Sequence, residues 1–221
     1  MSMLHASSVD DLLQLFSMTD EPVLQAMEER AATTGFPTVG PEVGSFLRWL
    51  VRAAGVTDVF ECGSGFGYSS YWMADAMPPN GSIVLTEIDQ HELDEARDYF
   101  TQGEVPPTVR FEHGDALEIL KDHSGTFDLI LLDHENERYA EGFEIARKRL
   151  AQGGVIVADN VLHSWEFSPS TLLAVLEGEQ EPPNSSLEGI VAYYDQLHTF
   201  EEFDHCLLPV GEGLTISVAT D

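Results

Sequence analysis

Two short segments of the 221-residue chain place carboxylates where apolar runs stop. Leu131-Leu132-Asp133-His134-Glu135-Asn136-Glu137-Arg138-Tyr139 ends one run and Val157-Ala158-Asp159-Asn160 ends another. Two carboxylates and an amide oxygen are hard ligands. They suit Mg²⁺ or Ca²⁺ and leave positions for water or a chelating substrate, whereas zinc favours His or Cys. Asp133, Asp159 and Asn160 are therefore the candidate metal ligands. Each segment alone is equally consistent with strand-end caps and a turn. Their joint position at the carboxyl ends of neighbouring parallel strands, where ligands collect, favours a cation site.

A second constellation lies upstream. Phe60-Glu61-Cys62-Gly63-Ser64-Gly65-Phe66-Gly67-Tyr68-Ser69 sets an acid and closely spaced glycines where a strand gives way to a helix. Without a Cβ the backbone can approach a ligand closely. The spacing Gly63-x-Gly65-x-Gly67 departs from the G-x-G-x-x-G of dinucleotide sites, and Glu61 would repel a pyrophosphate. That acid favours a cationic ligand such as the amino acid part of S-adenosylmethionine. Glu87, 24 residues after Gly63, ends the next strand, where its carboxylate can accept both hydroxyls of a ribose. His113-Gly114-Asp115-Ala116 follows a third strand and could contact an adenine ring, although Gly-Asp-Ala is also a common helix cap.

These residues need a frame that brings strand ends to one edge. Asp58–Cys62, Ile83–Thr86, Val109–Glu112, Phe127–Leu132 and Val155–Ala158 read as strands alternating with helices, which implies an α/β fold with a parallel sheet. Cys206–Val210 and Leu214–Val218 flank Gly211-Glu212-Gly213 and read as an antiparallel C-terminal hairpin, which makes seven strands. Residues 1–55 read as an N-terminal helical appendage, with Asp20 capping a helix that has Pro22 in its first turn and a second helix starting at Pro41. Between Asn160 and the hairpin the pattern is a loop and an ill-defined helix, with a polar, proline-bearing stretch from Glu179 to Ser186. No repeat or linker divides the chain, so residues 1–221 are read as one domain, the appendage followed by a core over residues 56–221.

Composition narrows the partners. Ten Lys+Arg stand against 39 Asp+Glu, a net charge of −29, which argues against nucleic acid and against an anionic membrane surface. No apolar run approaches the roughly 18 residues of a spanning helix. A chain this acidic, with Lys121 and Lys148 as its only lysines, reads as the cytoplasmic protein of a halophile; an ordinary acidic protein is the other reading. The N-terminal stretch has no basic residue before Arg30, so no export signal is expected. Cys62 and Cys206 have neither metal-ligand nor Cys-x-x-Cys spacing and are expected to be reduced, buried and inert.

Together the motifs resemble the cation-dependent O-methyltransferases, the group containing the catechol and caffeoyl-CoA enzymes. The resemblance runs from about Val39 to Val218: Glu61-Cys62-Gly63 through Gly67-Tyr68-Ser69, Glu87, Gly114-Asp115-Ala116, Asp159-Asn160-Val161 and Leu208-Pro209-Val210-Gly211 occur in order. It implies a Rossmann-like S-adenosylmethionine-dependent methyltransferase fold. Glu61, Gly63, Gly65, Tyr68, Ser69, Glu87 and Ile88 would hold the amino acid and ribose parts, Asp115 and Ala116 the adenine, and Val39 would line the entrance, with Asp133 reaching the cofactor as well as the metal. The family reaction it implies is in-line attack of a phenolate on the sulfonium methyl, with the cation gripping two adjacent oxygens of a phenolic or vicinal-diol acceptor. Family members include homodimers, so the N-terminal helices are expected to form either a dimer surface or a lid.

One departure matters. The family usually carries Asp-x-x-Lys-x-x-Tyr after the fourth strand, with the lysine as general base, whereas this chain has Asp133, Asn136 and Tyr139. Asn136 cannot accept that proton. Metal polarisation sufficing for an acidic hydroxyl, His134 or His163 acting as base, and loss of ordinary O-methylation are the competing explanations, in that order. The catalytic candidates are therefore Asp133, Asn136 and His134, and Trp165 is a candidate acceptor wall. A cofactor-binding protein with weak catalysis is the alternative reading, and a nicotinamide-dependent oxidoreductase a weaker third.

Overall fold

The computed structural model describes residues 6–220 and builds seven strands into one sheet, so the first five residues of the appendage lie outside it. Helices α1 (Ala6–Ser17), α2 (Pro22–Thr34) and α3 (Gly40–Ala54) precede β1 (Asp58–Cys62). The chain then alternates through α4 (Tyr68–Ala74), β2 (Ser82–Glu87), α5 (Gln90–Gly103), β3 (Thr108–His113), α6 (Ala116–Asp122) and β4 (Phe127–Leu132). A 3₁₀ turn at Asn136–Arg138 leads into α7 (Tyr139–Ala146), β5 (Leu150–Ala158), α8 (Pro169–Leu176), α9 (Ser185–Leu197), β6 (Phe203–Leu208) and β7 (Leu214–Ala219).

The sheet order is β3-β2-β1-β4-β5-β7-β6, parallel through β5 and antiparallel over the final hairpin. After β1 the chain builds outward through β2 and β3, then returns to place β4 on the other side of β1. This reversal leaves a crevice beyond the carboxyl ends of β1 and β4.

Strand alternation assigns the two faces. Val59, Ile83, Leu85, Leu129 and Leu131 pack with Leu24, Met27, Leu47 and Trp72 of α2, α3 and α4. Phe60, Val84, Ile130, Leu132 and Ile156 pack with Leu117, Tyr139, Phe143, Ile190 and Tyr193 of α6, α7 and α9 on the opposite face. Both faces being covered, the central strands read as near-continuous apolar runs. Among the described residues no helix is long and apolar enough to cross a membrane.

Several local expectations are corrected. The cap of α2 is Glu21, not Asp20: its Oε2 accepts from Leu24 N at 2.7 Å, placed there by Pro22 at the first helical position. Cys62 is buried and burial raises its thiol pKa, but Cys206 is exposed because β6 is the outermost strand. The hairpin starts at Phe203 and its first strand stops at Leu208, before Pro209, which has no N–H for the ladder. The region after Asn160 contains two defined helices, α8 and α9, capped by Ser168 and Asn184.

Candidate active site

A cleft of about 580 Å³ opens at the carboxyl edge of the sheet. Its wall includes Gly63 to Phe66, Tyr68 and Ser69 from β1 and α4, Glu87 and Ile88 from β2, and Gly114 to Leu117 after β3. Asp133 to Arg138 after β4, Asp159 and Asn160 after β5, and Phe36 to Val39 from the link between α2 and α3 complete most of it. The two constellations separated in sequence thus face one cavity.

Gly63 is required by two independent facts. Its φ is +81°, and a Cβ there would sit 2.2 Å from the Asp133 carbonyl oxygen. The glycine loop and the Asp133 segment are therefore in backbone contact, and Gly63 N and Ser64 N donate to Thr86 O to tie the loop to β2 as well. Gly63→Ala is expected to destabilise the protein by about 3 kcal/mol or more, from left-handed strain plus overpacking. An unchanged urea midpoint would contradict this contact.

Glu87 ends β2 with its carboxylate already oriented. Oε2 accepts from Gly65 N at 2.8 Å, and Oε1 from Ile88 N and Asp89 N at 2.8 and 2.9 Å. Oε1 thus has both lone pairs engaged, and Oε2 keeps one for a ligand hydroxyl. Beside it Ile88 is 67% exposed and adds apolar surface to the cleft wall. Asp115 caps α6 through Leu117 N and Glu118 N and accepts from Arg138 at 2.7 Å. That Arg138 hydrogen bond, more than its cap bonds, holds its pKa below the usual carboxylate range. Ala116 begins the helix on the wall, and Val39, the cap of α3, lines the same cleft.

Glu61 sits behind the cleft, not on it. It is fully buried, and its two carboxylate oxygens accept from the hydroxyls of Ser69 and Ser70. Desolvation pushes its pKa up to about 8 against the Ser69 hydrogen bond, and Glu87 adds to the rise. Of this group Ser69 reaches the wall. Tyr68 lines the wall while its hydroxyl donates to Glu28 Oε1 of α2 at 2.9 Å.

At the other end, Asp133 and Asp159 leave adjacent strands β4 and β5. Desolvation, then Asp159 and Glu61, raise the Asp133 pKa well above its ordinary value. Desolvation and the Glu212 charge raise that of Asp159 to about 7, against a hydrogen bond from Asn160 N. Asn160 adopts φ +58° and donates from Nδ2 to Glu212 Oε2 at 2.7 Å. A carboxylate only accepts, so the amide nitrogen faces Glu212 and Oδ1 is left for a ligand. A half-buried Asp133 raised by the buried Asp159, beside an amide oxygen, fits a hard divalent cation.

The remaining catalytic candidates are placed differently. Asn136 lines the cleft but its Nδ2 donates to Ser186 of α9 at 3.0 Å. His134 has a buried, unpartnered Nδ1, and burial lowers its pKa to about 4, so it is a neutral, weak base at pH 7. His163 is not among the residues lining the cleft, and Trp165 stands at its rim, 90% exposed. The sequence reading missed Glu212, Arg138 and Phe36. Glu212 was detectable as an acid between two glycines at a hairpin tip, but its approach to Asn160 follows from the pairing of β7 with β5.

Comparison with known proteins agrees with this architecture. A catechol O-methyltransferase of Niastella koreensis is 31% identical over 161 residues, 70% of this chain and 73% of that one. Caffeoyl-CoA O-methyltransferase 1 of Arabidopsis thaliana is 28% identical over 94% of this chain and 83% of its own. The O-methyltransferase TomG from Streptomyces achromogenes, solved in complex with SAM, superposes with a TM-score of 0.82 at 23% identity, covering 99% of this chain and 100% of that one. The O-methyltransferase from Bacillus cereus, in complex with SAH, gives 0.81 at 24% identity over 96% and 97% of the two chains. The O-methyltransferase family model matches residues 14–219, through every strand of the sheet, and the chain belongs to that family.

Proposed function

We propose that the protein transfers the methyl group of S-adenosylmethionine to one oxygen of a small catechol-like or vicinal-diol acceptor, with Mg²⁺ or Ca²⁺ bound by Asp133, Asp159 and Asn160. The observation that carries this reading is the shared cleft: the glycine loop after β1 and the carboxylates after β4 and β5 face the same cavity. S-adenosylmethionine supplies an electrophilic sulfonium methyl. A bound divalent cation supplies a Lewis acid that lowers the pKa of an acceptor hydroxyl.

The chain's own residues do the rest. Glu87, fixed by three backbone N–H groups, keeps one lone pair on Oε2 to accept a ribose hydroxyl without reorganisation. Ile88 and Ala116 offer apolar surface to the adenine. Glu61, behind Ser69, gives up its proton as the ammonium of the methionine part binds and then offsets that charge. Positioning of the two reactants supplies most of the acceleration.

The cleft also favours some acceptors over others. Glu135, Glu137, Glu166 and Glu212 lie around Asn136 and Asn160, and Arg138, already bonded to Asp115 and Glu141, is the one Lys or Arg on the wall. Phosphate-bearing acceptors such as coenzyme A thioesters would be repelled. The test is transfer of labelled methyl to a panel of dihydroxyphenyl compounds and a coenzyme A thioester, with and without chelator, in high KCl to screen the −29 charge. Simple diols are expected to outperform the thioester, and chelator to suppress transfer. Undiminished transfer in chelator rejects the metal dependence.

A second reading, a cofactor-binding protein with weak catalysis, is favoured by the placement of Asn136 against Ser186 and the low basicity of His134. Metal-stimulated turnover with any acceptor in the panel counts against it.

A further inference from the structure

Glu212 has no role in the sequence motifs, yet the fold directs it at the cation site. It lies at the tip of the β6–β7 hairpin between Gly211 and Gly213, whose φ values are +58° and +96°. A Cβ on Gly213 would come within 2.5 Å of Leu162, and one on Gly211 within 2.6 Å of Val43, so the tip is pressed against neighbouring segments. The backbone is pinned too. Glu212 O accepts from Leu162 N and His163 N at 3.0 and 3.1 Å, and Gly213 O from Val161 N at 3.1 Å. The hairpin tip thus clamps the segment that follows Asn160, and the Glu212 side chain reaches back to the Asn160 amide.

We infer that Glu212 is a positioning residue for the cation site: by accepting from Asn160 Nδ2 it holds the amide with Oδ1 available to the metal. This inference rests on the proposed metal-dependent reading. Without that acceptor the amide can rotate by half a turn and present its NH₂ group, which repels a cation. Glu212 does not act as a third carboxylate ligand. Among the described residues, only His91, Glu92 and Glu95 bring three His, Cys or carboxylate ligand atoms within 4.8 Å of one another, and Glu92 and Glu95 there are bonded to Arg30. Groups that orient a metal ligand in this way typically contribute about 10–100-fold to metal affinity.

The experiment is calorimetric titration of Mn²⁺ and Mg²⁺ into the S-adenosylhomocysteine-saturated protein, with Asp159→Ala as baseline for diffuse binding to the acidic surface. Variants are Glu212→Ala, Glu212→Gln, Asn160→Ala and the Asn160→Ala/Glu212→Ala double. Glu212→Ala is expected to weaken the saturable site by about tenfold or more. Glu212→Gln, which keeps an acceptor oxygen, should stay within about threefold of the native protein, the remainder reflecting the lost charge. In the Asn160→Ala background, Glu212→Ala should add nothing, because its route to the metal is gone.

Native affinity in Glu212→Ala, or an additive loss in the double variant, overturns the inference and leaves the metal-dependent reading standing. A native protein with no saturable site beyond the Asp159→Ala baseline removes both. Should Glu212→Ala fail to fold, Glu212→Gln decides: retention of affinity supports orientation, and a tenfold loss overturns it.

Discussion

Replacing Asp159 by asparagine is expected to slow methyl transfer by about a hundredfold or more while raising the melting temperature of the cation-free protein. The two effects share one cause. Asp159 is 1% exposed at the end of β5, with Asp133 on the adjacent strand and the Glu212 carboxylate close enough to raise its pKa. Without a cation these carboxylates repel one another in a poorly solvated site, and ionising them destabilises the fold. Asparagine removes one charge at nearly constant shape and keeps an oxygen to accept from Asn160 N, as Asp159 Oδ1 does at 2.8 Å. The same substitution replaces the anionic oxygen of a proposed ligand by a neutral amide oxygen, and several kcal/mol of charge stabilisation in the transition state is worth about two to three powers of ten in rate.

Thermal melts with and without Mg²⁺ separate the two effects. The native protein should gain stability as the cation is added, because ligand binds only the folded state. The Asp159→Asn variant should start higher and gain little. Equal turnover in both proteins would sink the assignment of Asp159 as a ligand.

The second result expected is the Glu61 contribution to the pH profile of stability, which adds to those of Asp133 and Asp159. Its ordinary pKa is 4.5 and the fold raises it to about 8, principally by desolvation. Between those values the unfolded chain has released a proton that the folded chain still holds. Stability therefore falls as pH rises from about 4.5 to 8, by up to about 1.4 kcal/mol per unit, and levels off above 8. Glu61→Gln removes this contribution and keeps partners for Ser69 and Ser70. Its melting temperature should exceed that of the native protein by several degrees at pH 8 and match it near pH 4.5.

Cofactor binding should move the other way. A cationic ammonium near Ser69 favours ionised Glu61, so binding below pH 8 should release a proton, and Glu61→Gln should bind S-adenosylmethionine roughly tenfold more weakly. Melting curves from pH 5 to 8.5, and calorimetry in two buffers of different ionisation enthalpy, check both claims. The background from the −29 net charge is common to both proteins and cancels in the comparison. Identical pH slopes for native and variant would show that Glu61 is not the responsible group.

Much of the frame was readable along the chain. β1 and β4 match their predicted ranges, Asp58–Cys62 and Phe127–Leu132, because short apolar runs bounded by glycine or polar residues are local signals. The antiparallel hairpin was expected as well, though its first strand shifted by a few residues toward the N-terminus, to Phe203–Leu208. The cap of α2 and the two helices after Asn160 were misread or left open. Several residue types there can cap a helix, and α9 draws its stability from packing of Leu187, Ile190 and Tyr193 against the sheet more than from its own propensity.

For the cleft, residue types and their strand-end positions were enough to expect Gly63, Glu87, Asp133, Asp159 and Asn160 on one wall, since strand order and alternation carry such residues to one edge. Side-chain direction and burial were not encoded in any local pattern. Glu61 is turned behind the loop by Ser69 and Ser70, and Asn136 is drawn to Ser186 across 50 residues. Cys206 is exposed because its strand closes the sheet. Glu212 meets Asn160 across 52 residues because β7 pairs antiparallel with β5, a long-range choice set by packing of the whole sheet. Local sequence specifies which groups are available at a strand end; long-range pairing and burial determine which way each points and how strongly it is charged.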